Sequence, residues 1–378
     1  MFIVAHNGAR IWGGAERALA RLLAGLQQRG HRVLLLCNDP VVAGPARALG
    51  VPAEILPLGG DASVHHALRL ARRLAELRPD ALLVGMFKKV WLAGLAGRLA
   101  GVPRIVARVG METDVPRNLK YRLAFRRLVD HVVVVAERLQ PAYAALPGYD
   151  AGRLSVIPNA VHPPAPRLPP GAVRASLGIG PDAPCVGVVA RLVTQKRLDR
   201  LLDAVAQLGE EVQCIIAGDG ALRGALQAQA ATLGIAARVH FLGERTDVAD
   251  VLGALDVFVM TSDREGMSNA MLEALAAEVP VVCTPASGTD EALRCGDDWI
   301  APGVVVDFGA AAVAEGIRGV LEDAGRRQAM AAAAGRRARE LFSFPRMLDA
   351  WERVLAGGSG DFEAGEASAR ELAGAQAE

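Results

Sequence analysis

A chain of 378 residues is long enough to bury two cores, and two domains of somewhat under 200 residues are the default. Its 52% hydrophobic content fits well-buried sheets, and no run of about 18 uncharged apolar residues is present to suggest a spanning helix. The net charge of +1 hides an asymmetry: residues 1–165 hold 22 Lys+Arg against 11 Asp+Glu, and the remainder 20 against 30. An anionic partner for the first half and plain unevenness between two domain surfaces account for this equally well, and no nucleic-acid partner is expected.

The N-terminus opens into FIVAH, a strand candidate without the basic flank of a signal peptide, so the chain is expected to be cytoplasmic. From there to about residue 157, short apolar runs alternate with amphipathic segments. FIVAH, VLLLC, AEILPL, ALLVG, RIVAR and HVVVV read as strands; ALARLLAGLQQRG, HHALRLARRLAELR and WLAGLAGRLAG read as helices. The proline-rich stretch 157–171 reads as a linker. After it CVGVVAR, VQCIIAGDG, RVHFLGE, LDVFVMTS and VPVVCTP resume the pattern. Alternation of this kind predicts α/β architecture with two Rossmann-like, doubly wound parallel sheets: residues 1–165 and residues 166–344. A last helix over 345–356 is expected to pack back on the first domain, and residues 357–378 read as a disordered tail with little to bury. Cys37, Cys185, Cys214 and Cys283 lie in or beside the strands without zinc or disulfide spacing and read as small buried hydrophobes.

Ligands of open α/β sheets bind beyond the carboxyl ends of strands, so the strand-to-helix loops carry the chemistry. After the first strand, Gly13-Gly14 let main-chain amides approach a phosphate or sugar at a helix N-terminus, and Glu16 follows in the first turn. The spacing lacks GxGxxG, so it gives no support to a nicotinamide cofactor, and none is expected. Arg191 and Lys196 flank the loop after CVGVV and suit a diphosphate, one as a fork and one as a point charge. Gly218, within GDG, leaves room for a base or ribose, and the backbone near Leu242 suits the edge of a nucleobase. Between Asp263 and Leu275 the chain reads DREGMSNAMLEAL: Glu265 and Gly266 precede a helix that Ser268 or Asn269 caps, with Met267 between them and Glu273 one turn in. Two acids at a helix mouth are common by chance, but cations on a neighbouring loop give them a diphosphate sugar to hold.

In order and spacing GGAER (13–17), IPNAV (157–161), ARLVTQK (190–196), AGDG (217–220), FLGERTDV (241–248), EGMSNAMLEALAAEVPVV (265–282) and FSFPRMLDAWERVL resemble the GT-B-fold retaining glycosyltransferases of family four. The resemblance covers residues 1 to about 355. It implies two domains facing each other across a cleft, with Arg191 and Lys196 on the donor diphosphate and Glu273 on the ribose. It also implies that Glu265 and the amides of Gly266 to Ser268 contact the donor sugar, that Gly14 closes over the diphosphate, and that no bound metal is needed. Retention is then front-face attack, with the leaving phosphate oxygen as base. Two departures stand out. Val109-Gly110 replaces the His-Gly of many members, leaving Glu112 and Asp114 as candidates beside Glu16 on the acceptor side. SGTDE (287–291) keeps only Gly288 and Glu291 of the usual Gly-Gly-x-x-Glu.

The expected reaction moves a sugar from a UDP- or GDP-linked donor to a hydroxyl, on a glycolipid or polysaccharide precursor of the cell envelope. A GT-B nucleotide-sugar epimerase and a non-catalytic nucleotide-sugar-binding protein are the alternatives. Residues 116–129 place Arg117, Lys120, Arg122, Arg126 and Arg127 among Leu119, Leu123, Phe125 and Leu128. Such a helix suits an anionic membrane surface, with Lys88-Lys89 adding to the patch, and equally suits a solvated basic face.

Overall fold

The computed structural model describes residues 1–60, 63–111, 119–144, 150–286, 288–294 and 300–360. They form two compact units: Met1–Asn159 together with the segment from Phe344, and Ala160–Ser343.

The first unit is built on strands Phe2–Asn7 (β1), Arg32–Cys37 (β2), Ala53–Ile55 (β3), Ala81–Val84 (β4), Arg104–Val109 (β5), His131–Val134 (β6) and Leu154–Val156 (β7). All pair in parallel, in the order β3-β2-β1-β4-β5-β6-β7. Central strands are buried end to end because helices cover both faces, which is why they read as unbroken apolar runs. Helix Gly14–Gln28 buries Leu19, Leu22, Leu23 and Leu26, an i, i+3, i+4, i+7 stripe. Helix Phe344–Leu355 belongs to this unit too: Trp351 is 1% exposed, and Arg29 reaches Asp349 at 2.5 Å and Glu352 at 2.8 Å. Residues 357–360, expected as part of the tail, are described. Gly360 is buried, and its amide donates to the Ser155 hydroxyl at 3.0 Å; residues 361–378 lie outside the described residues.

The second unit carries strands Cys185–Val189 (β8), Gln213–Ala217 (β9), Val239–Gly243 (β10), Val257–Met260 (β11), Val281–Cys283 (β12) and Gly303–Val305 (β13). Their order is β10-β9-β8-β11-β12-β13, again all parallel. The outermost strands β7 and β13, of three residues each, were not anticipated. Cys37, Cys185, Cys214 and Cys283 are free and buried, and burial pushes the thiols of Cys185 and Cys283 up to about 12.

Candidate functional site

Strand order decides which loops meet. In the second unit the chain runs outward from β8 through β9 to β10, then returns on the other side of β8 as β11. A sheet that reverses direction this way opens a crevice at the carboxyl ends of the two strands flanking the reversal. The loops leaving β8 and β11 are those that hold Arg191, Lys196 and Glu265.

They are stitched together. The Lys196 ammonium donates to Oε1 of Glu265, and the Ser262 hydroxyl donates to the same oxygen at 2.8 Å. Among the described residues nothing bonds Glu265 Oε2, so one carboxylate oxygen is held by the scaffold and the other is open. The amide of Asp263 donates to the Gln195 carbonyl at 3.0 Å, and Gln195 Nε2 donates to the Arg264 carbonyl at 2.7 Å. Beneath them lies Arg200, 7% exposed, whose two terminal nitrogens donate to the Thr261 carbonyl at 2.7 Å and to Asp263 Oδ1 at 3.0 Å. Arg191 differs from these residues: it is exposed, and its guanidinium has no partner among the described residues. A fork-shaped cation left in solvent beside a paired one suits an anionic group.

Helix Asn269–Ala276 begins at the same mouth. Ser268 is its N-cap, accepting the Met271 amide, which selects Ser268 over Asn269 as the capping residue. Gly266, Met267 and Ser268 are buried, and Glu273 is half-buried on the helix. Gly218 has φ of +133°, and a Cβ there would sit 1.9 Å from the carbonyl oxygen of Ala190. The room expected for a base or ribose is therefore taken up by the β8 loop, and the glycine is there to let two backbones touch. At Leu242 the β9–β10 register slips between Phe241 and Gly243, which takes Leu242 out of the ladder. A cavity of about 530 Å³ lies at the β13 edge, lined by Val304, Asp307, Glu315 and Arg326; its lining does not include Arg191, Lys196, Glu265 or Glu273.

In the first unit Gly13 and Gly14 lie at the start of helix Gly14–Gln28, as the sequence indicated. Glu16 has a local partner: its Oε2 accepts the Gly13 amide at 3.1 Å, closing the first turn. Glu112 and Asp114 lie outside the described residues. Helix Leu119–Arg127 buries Phe125 and Ala124, leaving Leu119 and Leu123 exposed beside Arg122, Arg126 and Arg127. Lys89 does not join that surface: it is 9% exposed and its ammonium bonds the Gly59 carbonyl, whereas Lys88 is exposed. Ser262, Asp263 and Arg200 were not singled out from the sequence. A hydroxyl directly after a strand, in TSDRE, is the one local sign of Ser262.

Residues 172–337 match the family model of Glycosyl transferases group 1, and residues 12–163 that of Glycosyltransferase Family 4. With the two doubly wound sheets, these matches make the chain similar to glycosyltransferases of GT-B fold over most of each unit. The lipopolysaccharide core biosynthesis glycosyltransferase LpsE of Rhizobium meliloti is 35% identical over 48% of this chain and 53% of its own length. The chain thus spans about half the length of the curated relatives that head the comparison. LpsD of the same organism, also a lipopolysaccharide core biosynthesis glycosyltransferase, is 26% identical over 90% of this chain and 94% of its own. Among solved structures, Anabaena HepE in complex with UDP superposes with a TM-score of 0.83 at 21% identity, covering 94% of this chain and all of the other.

Proposed function

We propose that this chain is a retaining glycosyltransferase that moves a sugar from a nucleotide-diphosphate sugar to a hydroxyl of a cell-envelope glycolipid or polysaccharide precursor. The observation that carries this reading is the pairing of Lys196 with Glu265 at the reversal between β8 and β11, with the unpaired Arg191 guanidinium on the same loop. Supporting it, HepE has been crystallised with UDP and with UDP-glucose, and LpsE and LpsD are named for lipopolysaccharide core biosynthesis.

In this reading Arg191 and Lys196 hold the diphosphate and offset the charge that builds on it as the sugar leaves. Glu265 Oε2 and the amides of Gly266 to Ser268 hold the sugar, Glu273 holds the ribose, and the backbone at Leu242 meets the base. The acceptor oxygen forms its bond to the anomeric carbon on the face from which the nucleotide departs. As the carbon–oxygen bond to phosphate breaks, that phosphate oxygen takes the acceptor's proton, and configuration is retained. The cations and the helix N-terminus supply the electrostatics without a bound metal or cofactor. Gly13, Gly14 and Glu16 are proposed to serve the same reaction from the first unit.

We place the protein in the cytoplasm, peripheral on the inner face of the cytoplasmic membrane, through helix Leu119–Arg127. Leu119 and Leu123 lie one turn apart and are 81% and 44% exposed, an apolar edge flanked by arginines that suits an anionic interface. Among the described residues no helix is long and apolar enough to cross a membrane.

A panel of UDP- and GDP-linked sugars tests the donor. Binding and turnover of one of them, with turnover abolished in Lys196→Ala and Glu265→Ala, is the expected result. Epimerised donor in the absence of acceptor, or binding without turnover across a broad acceptor panel, would overturn it.

A further inference from the structure

Two buried hydroxyls run in series from the β12 loop to the carboxylate of Glu265. Thr284 Oγ1 donates to the Ser262 carbonyl at 2.7 Å and the Ser262 hydroxyl donates to Glu265 Oε1 at 2.8 Å, while behind them Thr289 Oγ1 donates to the Ala286 carbonyl. Thr284 and Thr289 are 0% exposed and Ser262 is 1% exposed. Each hydroxyl is thus spent on a defined acceptor inside the carboxyl edge of the sheet. A polar group buried this deeply holds its position because losing its partner costs more than keeping it.

We infer that Ser262 is a positioning residue for Glu265, and that Thr284 acts through it: together they fix which oxygen of the Glu265 carboxylate faces the ligand. The inference rests on the donor-site reading above. Lys196 alone cannot fix the carboxylate. An ammonium is a point charge with rotatable donors, and it binds one oxygen or both as the carboxylate turns. The Ser262 hydroxyl breaks that symmetry. It adds a second, directional bond to Oε1, leaving Oε2 without a partner among the described residues and presented outward. Thr284 holds the Ser262 backbone from the neighbouring strand, so the hydroxyl does not swing with the loop. Without Ser262 the carboxylate turns toward Lys196 and takes both its own oxygens, and part of the lysine's charge, out of use.

The consequence separates sugar from nucleotide. Glu265 is assigned to the sugar, so losing Ser262 impairs turnover and the gain in affinity due to the sugar while sparing the nucleotide.

The test uses the full chain, UDP-glucose as donor probe and UDP as nucleotide probe, with Ser262→Ala, Ser262→Thr, Thr284→Val and Glu265→Gln. Expected are a 10- to 100-fold fall in kcat for Ser262→Ala and a 3- to 10-fold fall for Thr284→Val. UDP affinity stays within twofold in both. Ser262→Thr, which keeps the hydroxyl, returns kcat to within about threefold of wild type. Wild-type kcat in Ser262→Ala alongside loss in Glu265→Gln would overturn the positioning role and leave the donor site standing; no loss in Glu265→Gln would overturn the donor-site reading itself. A crystal structure of Ser262→Ala gives a readout free of turnover. Glu265 turned onto Lys196 through both oxygens supports the inference, and an unchanged carboxylate refutes it.

Discussion

At position 218 a methyl group would collide with the Ala190 carbonyl at 1.9 Å, and the φ of +133° is one that L side chains rarely adopt. Both effects act on the folded state, so Gly218→Ala is expected to destabilise the second unit by about 3 kcal/mol or more. Chemical denaturation checks this; an unchanged midpoint would mean that the β8 loop yields at no cost. Glu273 makes a different kind of prediction, one about binding. If it holds the ribose, Glu273→Ala weakens UDP or GDP binding roughly tenfold or more, the worth of about 1.4 kcal/mol of lost hydrogen bonding. Isothermal titration with the nucleotide diphosphate decides it, and unchanged affinity removes the assignment. Both residues could be picked out in the sequence, on different grounds. Glu273 stands at a fixed distance from a helix start that can be read locally. Gly218 looked like room for a ligand, because a close approach by a loop some thirty residues earlier leaves no mark in AGDG. Ser262 was passed over for a similar reason: a serine after a strand has many local uses, and its importance depends on a bond to Glu265.

At the scale of elements, the closing helix Phe344–Leu355 shows what periodicity conveys and what it omits. Phe344, Met347, Leu348, Trp351, Val354 and Leu355 are all buried, spaced so that they form one stripe. That stripe announces an amphipathic helix. Its docking site is settled by particulars far away in sequence: Gly25, where a Cβ would lie 2.7 Å from Phe344, and Arg29 and His31, which bind Asp349 and Glu352. Trp351→Ala is therefore expected to cost about 3–5 kcal/mol, whereas Glu352→Ala, at a partly exposed network, costs about 1 kcal/mol. Urea titration ranks the two, and equal effects would show that the helix is held by its charges. For helix Leu119–Arg127, neutralising Arg122, Arg126 and Arg127 is expected to abolish co-sedimentation with vesicles rich in anionic lipid. Undiminished binding would return the helix to the status of a solvated face over Phe125 and Ala124. Its apolar half was legible in the sequence; that Leu119 and Leu123 point outward was not, since leucine spacing alone does not tell the buried side from the exposed one.

Across the whole molecule, both units follow the same winding rule, so each has one reversal, between β1 and β4 in the first and between β8 and β11 in the second. Alternating strands and helices announced two parallel sheets, but strand order, which selects the loops that meet, depends on which strands neighbour each other in space. The first unit buries two imidazoles. Burial, and then the charge of Lys89, pushes His6 down to about 3; burial, followed by Arg104 and Arg153, pushes His131 down to about 4. His6 has neither ring nitrogen bonded within the described structure, and His131 bonds the Ser155 hydroxyl at 2.9 Å. Both are neutral when folded and take up a proton on unfolding at any pH between these values and 6.5, the value of a free imidazole. Stability is thus intact above about 6.5 and falls as pH drops, levelling off only below about 3 to 4. Each histidine contributes a loss of about 2 kcal/mol by pH 5, at 1.36 kcal/mol per unit of pH. Trp12, Trp91 and Trp351 lie in this unit and Trp299 falls in the range of the second, so in a Trp299→Phe background tryptophan fluorescence follows the unfolding of the first unit. The urea midpoint read this way is expected to drop between pH 7 and pH 5, and His6→Leu is expected to shrink that drop by about half. A midpoint flat over this range, or a slope unchanged in His6→Leu, would mean that the His6 imidazole takes up its proton without unfolding the sheet around it.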